Sequence, residues 1–119
     1  MKRDMDLVRA LLMRVESEHS ARAPEKIEIN GYTEEQIGYH AFLLNEAGLV
    51  KAVEMTSMGS PSPEARIIRL TWDGHEFLDS AREPARWEKA KDLVNKVGGA
   101  SIQLWMAVLT AYTREALGI

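Results

Sequence analysis

Cysteine is missing from this chain of 119 residues. That excludes a disulfide framework, a thiolate metal site and a cysteine nucleophile. Excess positive charge is missing too: the net charge is −3 and the pI about 5.6, which gives no global attraction to nucleic acid or to an anionic membrane. Long apolar runs are short and interrupted. The most apolar stretch, Ser101 through Leu117, is broken by Gln103 and Thr110 and falls short of the about 20 residues a membrane span needs. Met1-Lys2-Arg3 is basic, but Asp4 and Asp6 follow at once without the apolar region of a signal peptide, so the expected location is cytoplasmic. Gly31, Gly38 and Gly48 stand alone and Gly98-Gly99 suits a helix end, leaving no phosphate-cradling loop and no nucleophile elbow.

What is present is ordinary globular material, with 45% hydrophobic and 28% charged residues and a length that fits one core. Asp4 is a suitable N-cap for a helix with Met5, Val8, Leu11, Leu12 and Val15 on one face, ending around Ser17 to Ser20. Lys26 to Asn30 alternates, Ile27 and Ile29 one way and Glu28 the other, which predicts a short half-buried strand. Asn30-Gly31 turns the chain. Thr33 can cap a second helix with Glu34 and Glu35 in its first turn, and Gly48 stops it. Its inward face is Ile37, His40, Ala41, Leu44 and Ala47. No loop-forming residues accompany Gly38, so a continuous helix is the simpler reading than a split there.

Val50 to Thr56 and Ala65 to Thr71 read as the strands of a hairpin joined by a loop over Ser57 to Glu64 with the composition of a mobile wing. Thr71 can cap a further helix in which Trp72, Phe77, Leu78 and Ala81 supply apolar contacts. Pro84 suits the first position of the next helix, with Trp87, Ala90, Val94 and Val97 as its stripe, and Ser101 caps the last. The expected fold is α+β, mainly α: a winged-helix-like core of helix, short strand, helix, β-hairpin wing and helix over residues 1–83, then a helical pair over 84–119 packed on it as one compact domain.

The chain also resembles an uncharacterised bacterial family, domain-of-unknown-function family 2513, recurrent in phage-like settings and similar to winged helices. The resemblance is carried by the run Met1 to Arg9, by Tyr39-His40 with Glu46-Ala47-Gly48-Leu49, by Leu70 to Asp79, and by Trp87 before Lys89-Ala90-Lys91 and Gly98-Gly99. It implies a fold and a bacterial or phage setting, and it carries over no activity and no functional residues.

DNA-binding winged helices place a second helix in the major groove, whereas here one long helix occupies that position. Its outward stripe is Glu35, Tyr39, Phe42 and Glu46, four residues on one face without a lysine or arginine. Exposed aromatics ringed by acids suit a protein contact. The expected function is therefore a non-catalytic protein-interaction module. The alternative is a small DNA-binding regulator using Lys51, Arg66 and Arg69 of the hairpin with Lys89 of the helix that begins at Pro84. Among that helix's cations stand Glu88 and Asp92, which favour a solvated, salt-bridged face. The last helix is apolar on nearly all sides and calls for cover on nearly all sides, which predicts a homodimer through Leu104, Trp105, Val108, Leu109 and Tyr112. His19, His40 and His75 are too far apart for a helix-borne zinc pair, and His40 reads as a core histidine bonded to a carbonyl or carboxylate. Asp73 and Glu76 beside His75 are explained by the helix dipole. No enzyme, cofactor, metal or small-molecule substrate is expected, and Trp72, Trp87 and Trp105 are read as packing residues.

Overall fold

The computed structural model describes residues 1–18, 24 and 26–119. Its elements follow the order α1 (Met5–Glu16), α2 (Glu34–Glu46), β1 (Val50–Glu54), β2 (Ala65–Leu70), α3 (Trp72–Ala81), α4 (Pro84–Lys96) and α5 (Ile102–Leu117). The fold is thus α+β and mainly helical, with five helices and one two-stranded antiparallel sheet among the described residues. No helix among them is long and apolar enough to cross a membrane.

Local chemistry sets the helix ends. The Asp4 carboxylate accepts from Leu7 N–H at 3.2 Å. Thr33 and Gln36 form a reciprocal capping box, and the Glu83 carboxylate caps α4 ahead of Pro84. The Ser101 hydroxyl caps α5, and Thr71 Oγ1 accepts from Gly74 N–H at 3.0 Å. Each such cap stabilises its helix by about 1 kcal/mol. α2 runs unbroken through Gly38, where an added Cβ would lie 3.1 Å from Glu64 Cβ. This glycine therefore allows close approach of the hairpin rather than a turn.

Two compact units divide the chain, Met1–His75 and Glu76–Ile119, with the border inside α3. In the first, α1 packs on α2 and β2, and α2 packs on both strands. Leu7, Val8, Leu11, Leu12 and Val15 of α1 are buried, as are Ala41 and Leu44 of α2 and Val50, Ile67 and Leu70 of the hairpin. Full burial of each leucine or isoleucine contributes about 1.5–3 kcal/mol. In the second unit, Trp87 stacks on Trp105 with ring centroids 4.7 Å apart and receives Phe77 edge-on at 6.4 Å. These rings and Ala90, Val94 and Leu109 are buried.

The hairpin register is Val50 with Leu70 and Lys51 with Arg69, then Ala52 with Ile67, Val53 with Arg66 and Glu54 with Ala65. Ile68 is left over as a one-residue bulge in β2. At the hairpin base the Leu49 carbonyl accepts from Thr71 N–H at 3.1 Å, and Thr71 Oγ1 donates to the Gly48 carbonyl at 2.6 Å. Gly74 rests on the same Leu49 oxygen.

Several expectations are corrected. Lys26 to Asn30 forms no strand. The alternation survives as burial, Ile27 and Ile29 half-buried and Lys26, Glu28 and Asn30 exposed, but period-two burial specifies faces and not a hydrogen-bonding neighbour. β1 stops at Glu54 because Thr56 turns its hydroxyl to the Glu64 backbone, and β2 stops at Leu70 because Thr71 caps α3. Trp72 is 80% exposed rather than packed, Val97 is 65% exposed beyond the last turn of α4, and Ala47 is exposed at the α2 C-cap. α5 buries only Trp105 and Leu109 fully, so its all-round apolar character does not translate into all-round cover within the chain. His19 lies outside the described residues.

A Cβ at Gly74 would sit 1.9 Å from the Leu49 carbonyl oxygen, which is backbone and cannot swing aside. Helix propensity alone would make Gly74→Ala stabilising by up to about 1 kcal/mol. The clash reverses the sign, and we expect a net loss of about 1–3 kcal/mol, read from the midpoint of chemical denaturation.

Candidate functional site

α2 positions three groups of side chains around itself. Its outward stripe places Glu35 and Glu46 exposed, whereas Tyr39 and Phe42, expected to be exposed, are half-buried between them. The two aromatic rings stack with centroids 6.5 Å apart and planes 15° apart, an arrangement that fixes both rings at about 0.5–1.5 kcal/mol beyond their area burial. Neither acid has an ion-pair partner among the described residues. α2 contains no lysine or arginine.

Toward the interior, His40 is 1% exposed. Its Nδ1 lies 2.8 Å from the Gln36 carbonyl, and its Nε2 accepts from Asp4 N–H at 2.8 Å. One nitrogen must donate and the other accept, so the ring is the neutral Nδ1–H tautomer. The Asp4 carboxylate, besides capping α1, accepts from the Tyr32 hydroxyl at 3.0 Å. The imidazole therefore ties the start of α1 to α2 and has no nitrogen left for a substrate or a metal.

The hairpin carries the opposite charge. Lys51, Val53 and Met55 alternate with the inward residues of β1, and Arg66 and Arg69 are exposed on β2. Register sets Lys51 opposite Arg69 and Val53 opposite Arg66, which gathers three cations and two apolar side chains on the solvent face. Lys51 and Arg69 have no carboxylate in ion-pair range among the described residues, and an Arg66 guanidinium nitrogen donates to the Pro24 carbonyl at 3.3 Å. The connecting loop is tied within itself: Ser57 N–H donates to Ser60 Oγ at 3.0 Å, and that hydroxyl donates to Glu64 Oε1 at 3.0 Å. Val53, Met55, Met58 and Trp72 add exposed apolar surface.

Lys89, grouped with these cations on sequence, belongs to the other unit. Its ammonium lies 4.3 Å from the centre of the Tyr112 ring and 3.5 Å from Glu115 Oε1, so it links α4 to α5. Of the residues assigned to a dimer surface, Trp105 and Leu109 are buried inside the chain, Val108 and Tyr112 are half-buried, and Leu104 is exposed. Leu93, Leu117 and Ile119 add exposed apolar surface to the second unit.

Between α2 and β2, a cleft of about 240 Å³ is lined by Ile37, Gly38 and Ala41 on one side and Ala65, Arg66 and Ile67 on the other, with Pro24, Lys26 and Ile27 across from them. At its rim Lys26 Nζ lies 2.5 Å from Glu34 Oε1. The hydrogen bond from Lys26 holds the Glu34 carboxyl below its ordinary range, and the same bond raises the lysine. Both groups are largely in solvent, so the pair contributes little to stability, and that little is lost as pH falls through the lowered Glu34 value. Sequence reasoning missed this cleft. The isolated Gly38 in a helical pattern was its only signal.

His75 and Asp73 are exposed at the start of α3, and among the described residues no group of three or more His, Asp or Glu is placed to hold a metal ion. In comparisons with known proteins, the model of the family described as "Hypothetical protein (DUF2513)" matches residues 2–101. A protein of Haemophilus influenzae called "Uncharacterized protein" is 38% identical over 95 residues, which cover 79% of this chain and 79% of the relative. No solved structure matches.

The histidine lock is open to a direct check. His40→Leu keeps the apolar volume but leaves the Asp4 N–H without its acceptor, and we expect a loss of about 1–3 kcal/mol in denaturant unfolding.

Proposed function

The chain belongs to the DUF2513 family, and on that premise we infer that it is a non-catalytic, winged-helix-like module that binds another protein through the outward face of α2. The observation that carries the reading is the stripe of Glu35, Tyr39, Phe42 and Glu46: a stacked aromatic pair between two exposed carboxylates with no cation on the helix. Duplex phosphate repels such a face, whereas a protein contact uses a rigid aromatic centre with a charged rim. A partner with lysines or arginines spaced around an apolar socket complements it. The exposed Leu104, Leu93 and Leu117 support self-association through the second unit as a further property of the module.

One observation favours a second reading. Lys51, Arg66 and Arg69 share the solvent face of the hairpin, and Lys51 and Arg69 have no carboxylate in ion-pair range among the described residues, which makes a local basic patch of the kind phosphate binding requires.

Charge reversal separates the two. Glu35 and Glu46 are exposed, so Glu35→Lys with Glu46→Lys leaves the thermal midpoint within about 2 °C. We expect affinity capture from the source bacterium to lose its specific partner with this variant and to keep it with Lys51→Glu and Arg69→Glu. The reverse pattern, joined to duplex binding that weakens steeply with added salt, would replace the α2 reading with the hairpin one.

A further inference from the structure

We propose, resting on the reading of α2 as a protein-binding face, that its occupant is a second copy of this chain, whose cationic hairpin face docks on the anionic, aromatic helix face in head-to-tail order. Each surface lacks what the other has. α2 presents Glu35, Tyr39, Phe42 and Glu46 and contains no lysine or arginine, and neither carboxylate is ion-paired among the described residues. The hairpin presents Lys51 opposite Arg69, neither with a carboxylate in range among the described residues, beside Val53 and Met55, which are 49% and 53% exposed. A single copy leaves both charge sets without counterparts. Contact between two copies pairs them and takes two rings and two aliphatic side chains out of water.

The two surfaces also agree in spacing. Helical rise puts Tyr39 about 6 Å and Phe42 about 10.5 Å along α2 from Glu35, and it puts Phe42 and Tyr39 at the same two distances counted back from Glu46. On β1, residues 51, 53 and 55 share a face, so Val53 lies about 7 Å and Met55 about 13 Å beyond Lys51. Met55 is held in line by its N–H, which donates to the Glu64 carbonyl at 2.9 Å. Either end of α2 thus offers a carboxylate followed by two rings, and the hairpin answers with a cation pair followed by two apolar side chains. Within one molecule these faces cannot meet. Ile37, Ala41 and Ile67 meet in the cleft between α2 and β2, so the Glu35 stripe lies on the far side of the helix and Lys51 and Arg69 on the far side of the sheet. The complementary faces therefore point in opposite directions, and the contact is heterologous: it does not close at two copies but continues into a ring or an open chain.

The test is sedimentation equilibrium of the full chain with four exposed side chains as the variables. At about 0.05 M salt the weight-average mass of the wild type rises with concentration past that of two copies, and about 0.5 M salt, which shortens the screening length to about 5 Å, weakens the association about tenfold. Glu35→Lys with Glu46→Lys is monomeric, because its helix then repels the hairpin of its neighbour. Lys51→Glu with Arg69→Glu is monomeric for the converse reason. Mixing these two variants restores association, since each carries the face that the other lacks. A wild type that stays monomeric to about 1 mM would overturn the proposal, and a mass that levels off at two copies would overturn its head-to-tail order. Association that survives both reversals belongs to the apolar surface of the second unit and overturns it as well, as do variants that stay monomeric when mixed. The α2 reading fails separately: a different protein captured by the wild type and lost with Glu35→Lys and Glu46→Lys upholds that reading even where copies of the chain do not associate.

Discussion

The first unit depends on α2 being a single unbroken helix, because each neighbouring element is positioned from it. His40 holds the Asp4 amide and with it the start of α1. Asn45 covers the outer edge of β1. Gly38 lets the hairpin approach at Glu64. Just past its C-cap, the Leu49 carbonyl receives Thr71 and bears Gly74, which closes the hairpin and starts α3. A break at Gly38 would rotate His40 relative to Asn45 by an arbitrary angle, and these attachments could not be satisfied together.

Surface chemistry follows from the same geometry. With the ladder anchored through Leu49 and Thr71 at one end and Met55 and Glu64 at the other, the count of residues on the two strands differs by one. The Ile68 bulge absorbs the difference. That phase sends Lys51, Arg66 and Arg69 to solvent. Because α2 is continuous, its outward stripe carries a carboxylate toward each end and no cation. The unit therefore carries opposite charges on its helix and its hairpin.

Much of this was legible in the sequence wherever the determinant is local. Asp4, Thr33, Thr71, Ser101 and Pro84 each announce a helix start through a side chain or ring that acts within four residues, and each stands where expected. His40 as a core histidine bonded to a carbonyl follows from its place on the inward face. What escaped depends on distant partners. Alternation at Ile27 and Ile29 cannot say whether a neighbouring strand is within reach, and Trp72 has the composition of a core residue but falls on the uncovered side of α3. Trp105 and Leu109 looked like surface for a second copy until Trp87 was seen to stack on the same helix. The glycines at 38 and 74 matter through atoms of Glu64 and Leu49 that lie far along the chain.

The most direct measurement is residue-resolved amide exchange along α2 in solution. An unbroken helix predicts one continuous run of slowly exchanging amides through Gly38, Tyr39 and His40 to Glu46. Rapid exchange at Gly38, Tyr39 and His40 between two protected stretches would reveal a split helix with its own second segment, and would contradict the account.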